Sequence, residues 1–342
     1  MTAVTIAIDC MGGDFGPPVM IPSACEALEK YPYLSLLLVG LPDRIEPELE
    51  KLGNHFGDRI AIVVASQTIH MSEKPSQVLR KKKDSSMAIA LNSVAEGKAQ
   101  ACVSAGNTGA LMALSRHILK MIPGVDRPAI TTAIPTQLGH TRLIDLGANV
   151  DCSAQHLYEF ALMGSAMVSA IDNIAKPRVG LLNIGSEAIK GNEQTRATAE
   201  LLEQSQYLNY TGFVEGDDVY RGVADIIVCD GFVGNVFLKG SEGVARMLIS
   251  RLQKEFERNF LTRVLSAIVL PVLQAFRKRI NPDQYNGASF IGLQGIVIKS
   301  HGAANQQATL AAIEEAIKEV ENNVPAKIRD QIEQQLRQKN NS

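Results

Sequence analysis

The chain has 342 residues, of which 46% are hydrophobic and 20% charged, and a formal net charge of -2. That length suits one large or two ordinary domains, and the composition is that of a soluble globular chain. The near-neutral charge excludes nucleic acid as the main partner, because binding a phosphate backbone needs a basic field.

In chain order, short apolar runs predict strands at 4–8, 34–39, 60–65, 101–104, 129–134, 143–146, 179–184, 210–214, 224–229 and 290–299. Helical periodicity predicts helices at 17–30, 85–97, 108–121, 154–171, 192–204 and 303–322. Alternation of this kind builds βαβ units, so the expected fold is α/β, a three-layer α/β/α sandwich around a Rossmann-like, mostly parallel sheet. No linker or repeat divides the chain, so residues 1–338 are expected to form one domain and 339–342 a flexible tail. The helical pattern from about 236 to 280 has no intervening strand and predicts a projecting arm, and the stretch from Val324 onward predicts a terminal surface helix. Met1-Thr2-Ala3-Val4 carries no basic segment and already reads as a strand, so no signal peptide and a cytoplasmic location are expected.

Five polar, glycine-containing turns each follow a strand-like run: Asp9–Asp14, Ser104–Gly109, Asp145–Asp151, Asn183–Glu187 and Asp230–Asn235. In an open α/β sheet such turns sit at the carboxyl ends of parallel strands, where ligands bind, and five of them predict one composite site. Asn107-Thr108-Gly109 opens a helix and Gly185-Ser186-Glu187 precedes one, which offers backbone N–H groups to an anion. Neither G-x-G-x-x-G nor G-x-x-x-x-G-K-[ST] occurs, which disfavours nicotinamide enzymes and P-loop ATPases. The five cysteines stand far apart and show no C-x-x-C spacing, so neither a metal site nor a catalytic thiol is expected.

The densest basic run, Arg80-Lys81-Lys82-Lys83, precedes an apparent helix cap; such runs ordinarily face water, but the position also admits phosphate. Lys190 stands in a glycine-flanked loop, and Lys299 and His301 at a strand end. A lone histidine is more often structural than catalytic. On the arm, Val264, Leu265, Ile268, Val269 and Leu273 recur at helical spacing among arginines and lysines, with no acidic residue between 258 and 280. Such a stripe describes a core seam, a dimer seam or a helix lying on a membrane surface, and it is too short to span a bilayer.

The blocks Asp9–Asp14 (DCMGGD), Arg80–Met87 (RKKKDSSM), Ser104–Ala110 (SAGNTGA), Asp126–Pro128 (DRP), Asp145–Asp151 (DLGANVD), Lys190–Glu193 (KGNE), Asp230–Asn235 (DGFVGN) and Lys299–Gly302 (KSHG), in this order, closely resemble the PlsX family over essentially the whole length. These are acyl-acyl carrier protein:phosphate acyltransferases of bacterial phospholipid synthesis. The resemblance implies a fold related to phosphotransacetylases and decarboxylating dehydrogenases, a homodimer, and peripheral association with the inner face of the cell membrane. It implies transfer of a long acyl chain from acyl carrier protein to inorganic phosphate, the acyl phosphate then passing to a membrane glycerol-3-phosphate acyltransferase. No cofactor or metal is implied.

Such a reaction needs cations and N–H donors for phosphate and donors for the oxyanion that develops on the thioester carbonyl. Lys190, Arg80 and the Asn107-Thr108 turn are the candidates for phosphate, Asn149 or Asn235 for the carbonyl, and His301 for protonating the thiolate. Asp9, Asp145 and Asp230 orient these donors, with Gly12, Gly13, Ser104, Gly106, Gly109 and Gly185 shaping the substrate turns. The rivals are a short-chain phosphotransacetylase, for which an exposed apolar arm has no use, and a non-catalytic, membrane-recruited scaffold that binds carrier protein.

Overall fold

The computed structural model describes residues 3–53, 56–187, 189–260, 262–265, 269–272 and 285–339. Its first half contains β1 (Val4–Asp9), α1 (Pro17–Lys30), β2 (Leu34–Gly40), α2 (Pro42–Lys51), β3 (Ile60–Val64), α3 (Pro75–Lys81), α4 (Ser86–Ala95), β4 (Ala101–Ser104) and α5 (Thr108–Ile118). There follow β5 (Ala129–Thr136), β6 (Gly139–Ile144), α6 (Ala154–Ile171), β7 (Arg178–Leu182), α7 (Glu193–Glu203), β8 (Asn209–Val214), β9 (Ile226–Val228) and α8 (Gly231–Glu257). The chain closes with β10 (Ala288–Ile291), β11 (Ile296–Lys299), α9 (Gln306–Glu321) and α10 (Val324–Lys339).

One sheet takes the order β3-β2-β1-β4-β11-β10-β5-β6-β9-β7-β8. Strict alternation along the strands sends one set of side chains to each face. Cys102, Val297, Phe290, Ile130, Leu143 and Ile227 meet α4, α5 and the start of α8. On the other face Ile6, Ile8 and Val103 meet α1 and α9, while Ile144, Val179 and Ile226 meet α6, α7 and α10. Three layers follow from burial of both faces.

The expected single run at 290–299 is instead two antiparallel strands, reversed at Gly292, whose φ of 93° only glycine adopts without strain. β5 is antiparallel to both β10 and β6. Strands β1, β2, β3, β4 and β11 therefore point one way and β6, β7, β8 and β9 the other. The sheet is two parallel ladders of opposite direction. Pairing of Ile298 with Ser289, Ser289 with Thr131 and Thr131 with Ile144 brings the ends of β11 and β6 to the same level. Only three strand spacings, roughly 14 Å, separate them.

Helix α8 bridges that gap. The Asp230 side chain accepts a hydrogen bond from Val233 N–H at 2.9 Å and caps its start. A Cβ on Gly234 would fall 1.9 Å from the Asp145 carbonyl oxygen, so only glycine lets the helix sit so close to β6. Beyond this anchor Val236, Val244, Met247, Leu248 and Leu252 are exposed, as are Phe260, Val264, Leu265, Val269 and Val272 past the helix end. The arm positions Ile268 and Leu273 lie outside the described residues, as do 340–342 of the expected tail. The terminal helix α10 is no mere surface element, because Val324, Ile328 and Ile332 are buried in the core beside α6.

Candidate active site

Between α8 and the sheet lies a cavity of about 390 Å³. Its apolar floor is Ile130, Ile134 and Leu146, and its wall on α8 is Asn235, Lys239, Glu242 and Arg246, spaced so that all face one side of the helix. Thr108 of α5 and Lys299, Ser300 and His301 after β11 close one end.

At that end Asp9 is buried, accepting 2.6 Å and 3.3 Å hydrogen bonds from the Ser104 hydroxyl and Met11 N–H. Burial raises its pKa against the opposing pull of Ser104, Ser86, Met11 N–H and Lys299. Lys299 is also buried and donates to the Ala105 carbonyl at 3.2 Å and to the Ser300 carbonyl. Desolvation pushes its pKa down to about 8, with Asp9 pulling the other way and Lys239 adding to the fall. The turns after β1 and β4 touch: a Cβ on Gly12 would lie 2.7 Å from Gly106 N, and one on Gly13 2.9 Å from the Gly302 carbonyl oxygen. These glycines serve close backbone approach.

His301 is held by its own N–H donating to Asn286 Oδ1 at 3.0 Å, while its Nδ1 accepts from Ala303 N–H at 3.2 Å. Neutral imidazole with Nδ1 occupied carries its proton on Nε2. Lys239 Nζ lies 3.4 Å from that Nε2 and is ion-paired to Glu242 at 3.0 Å. Burial, then Lys239, lower the His301 pKa, so the ring is neutral at neutral pH. Two donors therefore face one space, an arrangement suited to an anion. Thr108 and Gly109 add the unsatisfied N–H groups of a helix start, since the Asn107 side chain caps only Ala110 N–H.

The other ladder end is built differently. The Asp145 carboxylate accepts from Ile130 N–H (3.2 Å), Ala148 N–H (2.9 Å), Asn149 N–H (2.8 Å) and Asn149 Nδ2 (2.8 Å). The second amide hydrogen of Asn149 goes to the Pro128 carbonyl at 2.8 Å. Asn149 is thus fully committed as a donor; Asn235 lines the cavity, and among the described residues no hydrogen bond holds its side-chain amide. Asn107 Nδ2 is likewise spent on the carbonyls of Met71 (2.7 Å) and Glu73 (3.1 Å), leaving the turn's backbone to meet an anion.

The structure does not bring every expected residue to the cleft. Lys190 is half-exposed, paired with Glu187 at 3.5 Å in the loop that holds Gly185, and neither lines the cavity. Arg80 is exposed at the end of α3, also outside the lining. The single composite site expected from five turns is a cleft lined by three of them, through Thr108, Leu146 and Asn235; the turn after β1 packs behind the turn after β4, and the turn after β7 lies further along the second ladder. The cleft also holds Lys239, Glu242, Arg246 and Asn286, which lie outside the motif blocks. The signal for the first three was their spacing from Asn235, hidden in a segment read for its apolar stripe. Burial raises the Cys152 thiol to about 12 and holds Cys10, Cys102 and Cys229 well above the ordinary thiol value, which fits thiols packed as small hydrophobes. Among the described residues no three His, Cys, Asp or Glu side chains converge as a metal-holding group.

Comparison with known proteins adds the relationship. A family model described as fatty acid synthesis protein matches residues 4–327. The chain belongs to this family. It is 55% identical over 332 residues, 97% of both chains, to a protein of Legionella pneumophila (strain Paris) named phosphate acyltransferase. A Pseudomonas putida (strain F1) protein of the same name is 53% identical over 336 residues, covering 98% of this chain and all of that one. Among solved structures, a phosphotransacetylase from Streptococcus pyogenes superposes with a TM-score of 0.59 at 16% identity, covering 92% of this chain and 94% of that one. A 4-hydroxythreonine-4-phosphate dehydrogenase from Klebsiella pneumoniae gives 0.53 at 13%, covering 92% and 99%. At such identities the likeness is one of fold.

Proposed function

We propose that this protein transfers a long-chain acyl group from the thioester of acyl carrier protein to inorganic phosphate, forming acyl phosphate for phospholipid synthesis. Membership of the family and the name shared by relatives above 50% identity support acyl transfer to phosphate. The observation that carries the chemistry is the facing pair Lys239 Nζ and His301 Nε2, beside Lys299 and the free start of α5.

Phosphate held by Lys239 and the Thr108 and Gly109 N–H groups presents an oxygen to the thioester carbon. As the carbon–oxygen bond forms, negative charge on the carbonyl oxygen is met by Asn235 and the His301 Nε2–H. Collapse breaks the carbon–sulfur bond and leaves a thiolate. The sequence expectation gave its proton to His301, but a neutral imidazole offers a hydrogen bond rather than a proton. Lys299, at about 8, is matched to a thiol of ordinary pKa near 8.5 and becomes the donor.

The exposed apolar positions from Phe260 to Val272 support peripheral membrane contact, and among the described residues no helix is long and apolar enough to cross a membrane. A homodimer and delivery of acyl phosphate to a membrane glycerol-3-phosphate acyltransferase complete the reading. It is tested with purified protein, palmitoyl-carrier protein and phosphate: free thiol is expected only when phosphate is present. Release of thiol with coenzyme A in place of phosphate would overturn it.

A further inference from the structure

Residues 73–84 carry five cations, Lys74, Arg80, Lys81, Lys82 and Lys83, against two carboxylates, Glu73 and Asp84, in a chain with more acidic than basic residues overall. Among the described residues only Lys82 of these is paired, to Glu73 at 3.5 Å and to the Thr68 carbonyl at 3.0 Å. Lys74, Arg80, Lys81 and Lys83 are exposed, and among the described residues none of them has an ion-pair or hydrogen-bond partner for its side chain. Like charges crowded on and beside one short helix repel one another, and among the described residues the Lys82–Glu73 pair is the one ion pair that offsets this.

The segment is also tied to the cleft at both ends. Asn107, which caps α5 beside the cavity, holds the carbonyls of Met71 and Glu73. Met71 is itself 48% exposed and stands beside Gly302. At the other end the Ser86 hydroxyl contacts buried Asp9. Ser86 follows Lys83 by three positions, a reach of at most about 10 Å. An exposed, unpaired basic surface thus borders the mouth of the acyl-transfer cleft, with one exposed apolar side chain between them.

From this geometry we infer that the α3 surface docks the acidic face of the carrier protein that delivers the acyl thioester, with Lys74, Arg80, Lys81 and Lys83 as its charged rim and Met71 toward the cleft. The inference rests on the proposed reaction and names the surface its donor uses. A partner held by a charged rim is steered by long-range attraction, and losing the rim slows association and removes its salt dependence. A lipid surface fits less well, because α3 shows no apolar stripe to enter it. Free phosphate fits less well because these side chains stand outside the cavity.

The test is the double variant Lys81→Glu/Lys83→Glu, assayed by phosphate-dependent thiol release. Its KM for palmitoyl-carrier protein should rise on the order of tenfold. Its KM for phosphate should stay within about twofold, and the salt sensitivity of the wild-type KM should disappear. Lys81→Arg/Lys83→Arg should retain wild-type values, and matching thermal melts of all three proteins exclude misfolding. An unchanged KM for carrier protein, a rise in the KM for phosphate instead, or loss only of binding to phosphatidylglycerol vesicles would each overturn the assignment. Binding of unacylated holo-carrier protein to wild type and variant, measured by calorimetry, separates this from the reaction itself: if wild type releases no thiol yet binds the carrier through these lysines, the reaction fails and the surface stands.

Discussion

Asp9 and Asp145 look alike in sequence: each is an aspartate ending a strand before a glycine-containing turn, and each is buried with its pKa raised by desolvation. Their surroundings differ. Asp145 spends both oxygens on three backbone N–H groups and the Asn149 amide, tying β5, β6 and the following loop together beneath the start of α8. Asp9 accepts chiefly from side chains and faces a lysine that borders open space. A carboxylate surrounded by backbone donors is a structural knot, whereas one balanced against a buried cation sets the electrostatics of a cleft.

The sharpest way to break this contrast is to remove each carboxylate's environment in turn. Asp145→Ala orphans buried N–H groups of Ile130 and Asn149 and should destabilise the fold by at least about 3 kcal/mol, read from urea denaturation. Stability within about 1 kcal/mol of wild type would deny its structural role.

Lys299→Met should act on the other axis, lowering kcat by on the order of 10²-fold or more with little loss of stability, because it removes a poorly solvated charge. Wild-type kcat should fall as pH rises through about 8, where Lys299 loses its proton. Folding has the matching sign: above about 8 the unfolded chain keeps this proton longer, so wild-type stability gains with pH in that window and the variant lacks the gain. A variant with the wild-type pH profile would remove Lys299 as the proton donor.

His301→Ala should lower kcat by about tenfold to 10²-fold as an oxyanion donor, with equal loss for good and poor thiol leaving groups. A loss that shrinks with a better leaving group would return proton donation to His301.

Glu319 supplies a third buried carboxyl for calibration. Burial and then Glu315 raise it to about 8, so it is protonated in the fold while the unfolded chain ionises near the ordinary glutamate value. Its contribution is fully present at low pH and lost as pH rises toward about 8. Glu319→Gln should flatten that decline in thermal melts. The smallest effect is expected at Lys190, paired with Glu187 outside the cavity. Lys190→Ala should change the phosphate KM by less than about threefold, the weight of an exposed pair; a tenfold rise would show that its loop folds over the cleft during turnover.

Much of the strand and helix order was legible, because apolar alternation and 3.6-residue periodicity are local properties. The reversal at Gly292 was not, since two four-residue strands, each with three apolar residues, on either side of a short turn look like one long strand. The place of His301 and of the Ser104–Gly109 turn at strand ends bordering the cleft was legible, because each directly follows an apolar strand run. The place of Lys239 was not, because it depends on α8 running from β9 past β6, β5 and β10 to reach His301.

By itself the sequence determined the layered α/β architecture, the glycine turns and, through the order of its motif blocks, the family resemblance, all of which depend on residues close together along the chain. Only the tertiary structure decided that the two ladders oppose one another, that their ends meet at one level, and that Lys239, Lys299 and His301 share a cavity from which Lys190 and Arg80 stand apart. Those facts depend on strand pairing between residues more than a hundred positions apart, and on desolvation, which no local pattern encodes.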